Sequence, residues 1–157
     1  MNDAPDPFAH IGAMPGHLLR RCQQIAVSIF LRDCGAHDLT PLQFAVLAAL
    51  VGSPPLDHIR LAGIAALDRT TVGLVARKLE ERGLVTRRVS ESDRRSKLVA
   101  ITDAGRELVG NALPAVEAAQ DRMLAPLTPA ERATLLALLT KMADANNDQS
   151  RAPLRGL

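Results

Sequence analysis

Aromatic side chains are nearly missing from this chain of 157 residues, which has no tryptophan, no tyrosine and three phenylalanines. Proteins that hold single-stranded nucleic acid or unpaired RNA stack the bases on aromatic rings. The composition therefore disfavours single-strand and RNA binding. Cysteine is also scarce, at two residues, so a protein built on a disulfide framework is excluded.

Long hydrophobic runs and enzyme signatures are missing as well. The sequence has no stretch of about eighteen apolar residues and no signal-peptide pattern, so we expect a cytoplasmic protein without a membrane segment. It also has no nucleophile elbow, no phosphate-binding glycine loop and no HExxH pair of zinc ligands. We therefore expect neither an enzyme nor a protein with a cofactor or a bound metal.

The stretch from Leu61 to Arg106 sets the predicted fold class. It reads as two helices separated by a tight turn, followed by two β-like runs around a polar, basic loop. These elements are predicted at residues 61–65, 69–82, 84–89 and 97–101. A helix-turn-helix followed by a hairpin is a winged helix-turn-helix, which lays its second helix in the DNA major groove. We expect a mainly α fold with a small β-hairpin wing.

The second helix of this motif, which Asp68 is suited to cap, has two unlike faces. Apolar residues recur at helical spacing and predict a core side at Val72, Val75, Ala76 and Leu79. The opposite side carries hydroxyls and long basic side chains, which suit base edges and phosphates. A solvated face explains such a helix equally well when it stands alone. The predicted DNA contacts are Arg69, Thr70, Thr71, Arg77 and Lys78.

Positive charge is concentrated on this helix and the wing. Residues 69–97 hold nine Lys or Arg against four Asp or Glu, a net charge of +5, while the whole chain carries +2 and the remainder therefore −3. Because phosphates are neutralised locally, this asymmetry favours double-stranded DNA as the partner. A protein-interaction module on the same fold stays open and would show no salt-sensitive DNA affinity.

The stretches DRTTVGLVARKLEERGLVTRR and SDRRSKLVAITDAG resemble the MarR family of bacterial winged-helix regulators. The match comprises Ser92, Asp93, Arg94 and Arg95 in the wing, then Ile101, Thr102 and Gly105, with isoleucine where leucine is commoner. It extends over about residues 15–143. The resemblance implies a homodimer, a pseudo-palindromic operator, and DNA binding controlled by a small ligand or by oxidation. Arg94 and Arg95 would reach the minor groove or its phosphates, with Asp93 orienting one of them.

Helices on both sides of the motif are predicted to form a dimerisation layer. A first helix runs from Pro15 to about Cys34, and a second over residues 103–124, where Pro114 predicts a kink or a break. A capping box at Thr128 opens the last helix. Their apolar stripes are wider than one small domain needs. The predicted division is an extended arm with the first dimerisation helix (1–34), the winged domain (35–102), C-terminal dimerisation helices (103–145) and a flexible tail (146–157).

A polar line on the first helix is the candidate effector site. His17, Arg21, Gln24 and Ser28 recur at helical spacing beside the apolar stripe, and His10 precedes them. Arg21 could pair with a carboxylate, although a solvated helix edge explains the line equally well. The segment HLLRRCQQIAVSIF resembles the first helix of family members that sense aromatic acids. That resemblance implies a small aromatic or heteroaromatic carboxylate, or its thioester, as the effector that releases a repressor of catabolic genes.

Redox or metal sensing on the same fold is the alternative. Cys22 and Cys34 lie on one helix about 18 Å apart by rise, so they cannot pair within one chain. Arg20 or Arg21 could activate the Cys22 thiol. The four histidines, at positions 10, 17, 37 and 58, have no tight metal-ligand spacing.

Overall fold

The computed structural model describes residues 7–90 and 97–155, with side chains from residue 10 onward. Seven α-helices and three short strands follow one another within these residues. The helices are α1 (Pro7–Gly12), α2 (Pro15–Asp33), α3 (Pro41–Leu50), α4 (His58–Ala65), α5 (Arg69–Glu81), α6 (Asp103–Leu124) and α7 (Pro129–Ala145). The strands are β1 (Leu56–Asp57), β2 (Val85–Val89) and β3 (Lys97–Ile101), and short 3-10 turns span Gly35–His37 and Asn147–Gln149. The predicted fold class is confirmed.

Side-chain caps fix where the helices begin. The Thr40 hydroxyl accepts the Gln43 amide at 3.2 Å, and the Gln43 side chain accepts the Thr40 amide at 2.9 Å. Thr128 and Glu131 repeat this reciprocal arrangement at the start of α7, at 3.3 and 2.8 Å. Both capping boxes satisfy amides that have no partner inside the helix. Gly83, in a left-handed conformation with φ +70°, lies between α5 and β2, as the sequence predicts.

The strands form an antiparallel sheet in the order β1-β3-β2. In the wing hairpin Val85 pairs with Ile101 and Val89 pairs with Lys97. The sequence did not predict β1, in which Leu56 pairs with Val99, because two residues are too few to show a strand period. This short strand joins the start of α4 to the wing.

The core lies where α3, α4 and α5 meet the sheet and α6. Its largest fully buried side chains are Val46, Leu47, Leu50, Leu61, Val72, Leu79, Val85 and Val99. The first long helix, α2, packs along α6 and contributes the buried Phe30. Helix α5 and the hairpin therefore rest on one apolar cluster, which fixes their relative orientation.

The start of α6 passes extremely close to the end of α5. Thr102 caps α6 by accepting the Gly105 amide at 3.1 Å, and its hydroxyl donates to the Gly83 carbonyl at 2.8 Å. The Thr102 amide donates to the Leu84 carbonyl at 3.1 Å. A Cβ at Gly105 would lie 2.2 Å from that carbonyl oxygen and 2.8 Å from Ile101 Cγ1. Only glycine fits there, which gives a physical reason for the threonine and glycine of the wing signature.

Two elements differ from the sequence prediction. The arm before Pro15 contains the short helix α1 instead of an extended chain, and Pro7 supplies the fixed φ that suits a first helical turn. Helix α6 runs through Pro114 without the break that we considered. Ala112 and Val116 are buried on either side of that proline, so packing against the core outweighs the lost backbone bond.

Part of the segment after α7, which was predicted as a flexible tail, folds back onto α4. We name residues 147–155 the C-terminal strap. The Asn147 side chain accepts the Leu154 amide at 2.8 Å and donates to its carbonyl at 3.3 Å, which folds the strap back on itself. The Arg155 amide then donates to the carbonyl of Gly63 in α4 at 3.0 Å. Composition did not reveal this docking, because it depends on one asparagine and on a missing side chain at Gly63.

Candidate DNA-binding face and effector site

Helix α5 separates its two faces as the sequence predicts. Its buried side consists of Val72, Val75, Ala76 and Leu79. Its exposed side consists of Arg69, Thr70, Leu74, Arg77, Lys78 and the acidic Glu81. Leu74 is 51% exposed among these polar residues. The structure thus brings four of the five helix residues predicted to bind DNA onto one open face, with an apolar contact surface at its middle.

Thr71, the fifth of these residues, belongs to the start of the helix. Its amide donates to Asp68 Oδ1 at 3.0 Å and its hydroxyl donates to Asp68 Oδ2 at 2.6 Å. These hydrogen bonds, from the hydroxyl first and then the amide, lower the pKa of Asp68. The Thr71 hydroxyl proton is therefore used in the cap, and contact between Thr71 and DNA stays a prediction.

The wing is tied to α5 through Arg87 of β2. Its Nε and Nη2 atoms lie 2.7 and 2.6 Å from Glu80 Oε2, and its amide donates to Glu80 Oε1 at 3.2 Å. The hydrogen bond from Arg87 lowers the pKa of Glu80. Arg88 points the other way and is exposed. We did not single out Arg88 from the sequence, although strand alternation distinguishes it from Arg87. The predicted wing contacts Asp93, Arg94 and Arg95 lie outside the described residues.

His58, the first residue of α4, is half-buried against the inner side of α5. Its Cε1 atom lies 3.9 Å from the position of a Cβ on Gly73. Its Nε2 atom is buried and has no hydrogen-bond partner among the described residues. Burial, followed by the positive charges of Arg87 and Lys97, lowers the pKa of His58, and Asp57 opposes this in part. The imidazole is accordingly neutral at pH 7.

We expect this histidine to make the protein less stable in acid. In the unfolded chain His58 takes up a proton near its ordinary pKa of 6.5, whereas the folded protein resists protonation until a lower pH. The unfolded state binds more protons in that window, so the free energy of unfolding decreases as pH falls below 6.5. Denaturant unfolding of the wild type and of His58→Gln, at roughly pH 7.5 and at a pH well below 6.5, measures the effect.

The His58→Gln variant should show a smaller loss of stability on acidification than the wild type. His37→Gln, on the 3-10 turn after α2, serves as the matched control. Equal pH dependence in the wild type and in His58→Gln would contradict the assignment.

An apolar cavity of about 550 Å³ lies between α2, the end of α6 and α7. Its wall includes Leu18, Leu19, Cys22, Ile25, Met123, Leu135, Leu139 and Met142. The volume is in the range that holds a small organic ligand. Its wall also belongs to the helices predicted to dimerise, so a second protomer would change its outline.

The predicted effector residues do not line this cavity. Arg21, Gln24 and Ser28 are exposed, and on helical geometry their line lies roughly a third of a turn around α2 from the cavity wall. His17 is half-buried, and its Nδ1 atom lies 3.3 Å from Nη2 of Arg20. His10 is exposed at the end of α1. Within one chain, these five residues do not form a closed site.

The two cysteines differ in environment. Cys22 is exposed at the apolar cavity, while Cys34 is buried at the end of α2. Burial first, and then the nearby Asp33 carboxylate, raises the pKa of the Cys34 thiol. A raised pKa keeps sulfur in its unreactive protonated form. In the part of the chain that the structure describes, no three His, Cys, Asp or Glu side chains are grouped to hold a metal ion.

None of the helices in residues 7–90 and 97–155 is long and apolar enough to cross a membrane.

A helix-turn-helix with a basic face on its second helix and a hairpin beside it defines a winged-helix DNA-binding regulator. The MarR family profile matches residues 39–97, which include α4, α5 and the start of β3. The chain is 31% identical to the transcriptional repressor NicR of Pseudomonas putida over 85% of this chain and 84% of that one. The chain belongs to the MarR family and is a transcriptional repressor of that family rather than an enzyme.

Solved structures agree with this assignment. BpsR of Bordetella bronchiseptica, whose DNA binding is regulated by 6-hydroxynicotinic acid, is 35% identical with a TM-score of 0.81, covering 90% of this chain and 99% of that one. The repressor CouR, bound to a 23-mer DNA duplex, is 30% identical with a TM-score of 0.78, covering 89% and 99%. CouR of Rhodococcus jostii RHA1 is also solved with p-coumaroyl-CoA, at 27% identity and a TM-score of 0.70, covering 84% and 93%. Regulators of this family bind DNA and dimerise.

Proposed function

We propose that this chain forms a homodimeric repressor of genes for aromatic or heteroaromatic acid catabolism. It would bind a pseudo-palindromic operator in the cytoplasm and leave it when a small aromatic carboxylate, or its thioester, binds. The observation that carries the DNA half of the proposal is the open face of α5, where Arg69, Thr70, Arg77 and Lys78 surround Leu74.

Each of these side chains has a chemistry that suits a DNA groove. An arginine fork matches the two acceptors of guanine, a hydroxyl reaches phosphates and base edges, and Leu74 can contact a thymine methyl. In a dimer two such helices would enter successive major grooves about 34 Å apart. We extend the interface to the wing tip, where Arg94 and Arg95 would contact the minor groove and Asp93 would orient one of them.

Dimerisation through the outer helices is supported by the surface of α7. None of its residues is buried within the single chain. Leu136, Leu138, Leu139 and Met142 on this helix are between 37% and 59% exposed. A helix with so much apolar surface in water gains stability by covering it. A second copy of the chain is the occupant that the family implies, and its α2 and α7 present the same kind of surface.

The effector class is supported by the relatives rather than by a closed pocket. BpsR responds to a hydroxylated pyridine carboxylic acid and CouR binds the thioester of a phenolic acid. We propose that the carboxylate or thioester contacts the polar line of α2, through Arg21 and His17, where the dimer layer meets the winged domain. Such a ligand acts only if it prefers one spacing of the two reading helices over the other.

The proposed function is tested with fluorescence anisotropy of labelled duplex DNA from the region upstream of the gene. A scrambled duplex of the same length is the comparison, and two salt concentrations are used. Labelled DNA is the appropriate reporter because the protein has no tryptophan or tyrosine. We expect tight, sequence-selective binding that weakens with salt, and dissociation on addition of 6-hydroxynicotinic acid or a related aromatic acid. Weak and equal binding to both duplexes would refute the proposal.

The effector site is tested with the double variant His17→Ala/Arg21→Ala. A charge-assisted hydrogen bond to a carboxylate is worth about 1.5–3 kcal/mol, so the aromatic acid concentration needed for half-release should rise roughly tenfold to a hundredfold. Arg32→Ala is the matched control, since it removes one charge from the other end of α2 while Asp33 keeps its 2.8 Å pair with Arg122. Unchanged release by the double variant would mean that the acid binds elsewhere.

A further inference from the structure

The C-terminal strap leaves the end of α7 and docks on the helix-turn-helix. Its docking point is Gly63 in α4, whose carbonyl accepts the Arg155 amide at 3.0 Å. A Cβ at Gly63 would lie 3.0 Å from Arg155 Cβ and 3.2 Å from its carbonyl oxygen. The strap therefore docks at the one position on α4 that has no side chain. The backbone of Arg155 can approach α4 closely only there.

This docking brings two arginines to the start of the DNA-reading helix. Arg151 and Arg155 surround a small cavity of about 170 Å³ together with Asp68 and Arg69. Both strap side chains are exposed, and neither has an ion-pair partner among the described residues. The Asp68 carboxylate is the opposing charge at this place, but two hydrogen bonds from Thr71 already occupy it.

The position of these arginines determines what they can contact. In a helix-turn-helix the start of the second helix meets base edges, while the first helix crosses the DNA backbone. The strap lies on the first helix, α4, next to the first residue of the second, Arg69. A basic side chain there faces the path of the phosphates and not the base edges.

We propose that the strap is part of the DNA interface, and that Arg151 and Arg155 bind backbone phosphates beside the start of α5. This inference rests on the proposed function, because it requires operator DNA in the groove. It adds two phosphate contacts per protomer to those of the helix and the wing. The contacts raise affinity for any DNA sequence without changing which operator is preferred.

The double variant Arg151→Ala/Arg155→Ala in the full-length protein tests this. Each lost phosphate contact lowers the slope of log affinity against log salt by about 0.9, so a dimer that loses four contacts should lose about 3.6 from that slope. Operator affinity near 0.15 M salt should fall roughly a hundredfold to a thousandfold, and affinity for the scrambled duplex should fall in parallel. The conservative double variant Arg151→Lys/Arg155→Lys should keep most of the salt slope and most of the affinity, since a phosphate accepts either cation.

Two further variants separate the strap from net charge. Lys141→Ala/Arg132→Ala removes the same charge from α7; once analytical ultracentrifugation shows that this variant is still a dimer, it should leave the salt slope unchanged. Gly63→Ala keeps both arginines but displaces Arg155, so it should reproduce part of the loss; thermal unfolding checks that this variant is folded. An unchanged slope in Arg151→Ala/Arg155→Ala, or an equal loss in the α7 variant, would overturn the inference while wild-type operator binding stands. Absence of selective binding by the wild type would instead remove the proposed function itself.

Discussion

Replacing Gly105 by alanine should lower the unfolding temperature by about 6–12 °C. The added methyl group would overlap the Leu84 carbonyl oxygen at 2.2 Å and crowd Ile101 at 2.8 Å. That carbonyl also accepts the Thr102 amide, so moving it disturbs the cap of α6 as well. Overpacking of this kind costs about 3 kcal/mol, and each kcal/mol moves the midpoint of a chain of this size by about 2–4 °C.

Gly110→Ala is the matched control for this prediction. It lies on the same helix, and a Cβ built there meets nothing within 4 Å. Because glycine inside a helix is less favourable than alanine, this variant should be as stable as the wild type or slightly more stable. Circular dichroism melts at one fixed protein concentration measure both, since association shifts the midpoint of a dimer. Equal midpoints for the two variants would show that the backbone at Gly105 can yield.

Arg77→Ala removes one contact in each half-site of the operator, so it should weaken operator binding roughly thirtyfold or more while the dimer remains intact. Arg77 stands at the middle of the exposed face of α5, and its Nε atom is 3.8 Å from Glu81. Such an exposed pair is weak, so the guanidinium can leave Glu81 for a base at little cost. Loss of one bidentate contact to guanine costs about 1–3 kcal/mol. Anisotropy titrations on the operator and on the scrambled duplex measure the change.

The comparison of the two duplexes decides what Arg77 contacts. A loss confined to the operator indicates base reading, whereas an equal loss on both indicates a phosphate contact. Lys141→Ala, on the exposed surface of α7, is the matched control for the removed charge. Full operator affinity in Arg77→Ala would show that this face of α5 does not read DNA.

Much of the DNA-reading half was predictable because its signals are local. A cap at Asp68, apolar residues at helical spacing and a glycine after the helix each depend on a few neighbouring residues. The two strands of the wing hairpin likewise appear in the sequence as two β-like runs, at 84–89 and 97–101. The hairpin joins them in the expected order, with Val85 opposite Ile101.

What the sequence did not predict depends on contacts between distant residues. The pairing of Leu56 with Val99, the lock between Glu80 and Arg87, and the docking of Arg155 on Gly63 each join separate elements. Two-residue strands and single hydrogen bonds leave no periodic pattern to read. The effector residues were predicted from periodicity alone. Helical periodicity shows which side chains share a face, but it does not show which residues that face contacts.

The unburied last helix has a consequence for how the repressor would respond to its own abundance. If α7 is covered only by a second copy, the concentration of dimer depends on the square of the protomer concentration when the protein is scarce. Occupancy of the operator would then rise more steeply with expression level than it does for a monomeric repressor. A cell carrying half the usual amount of this protein would lose more than half of its repression, without any change in the operator or the effector.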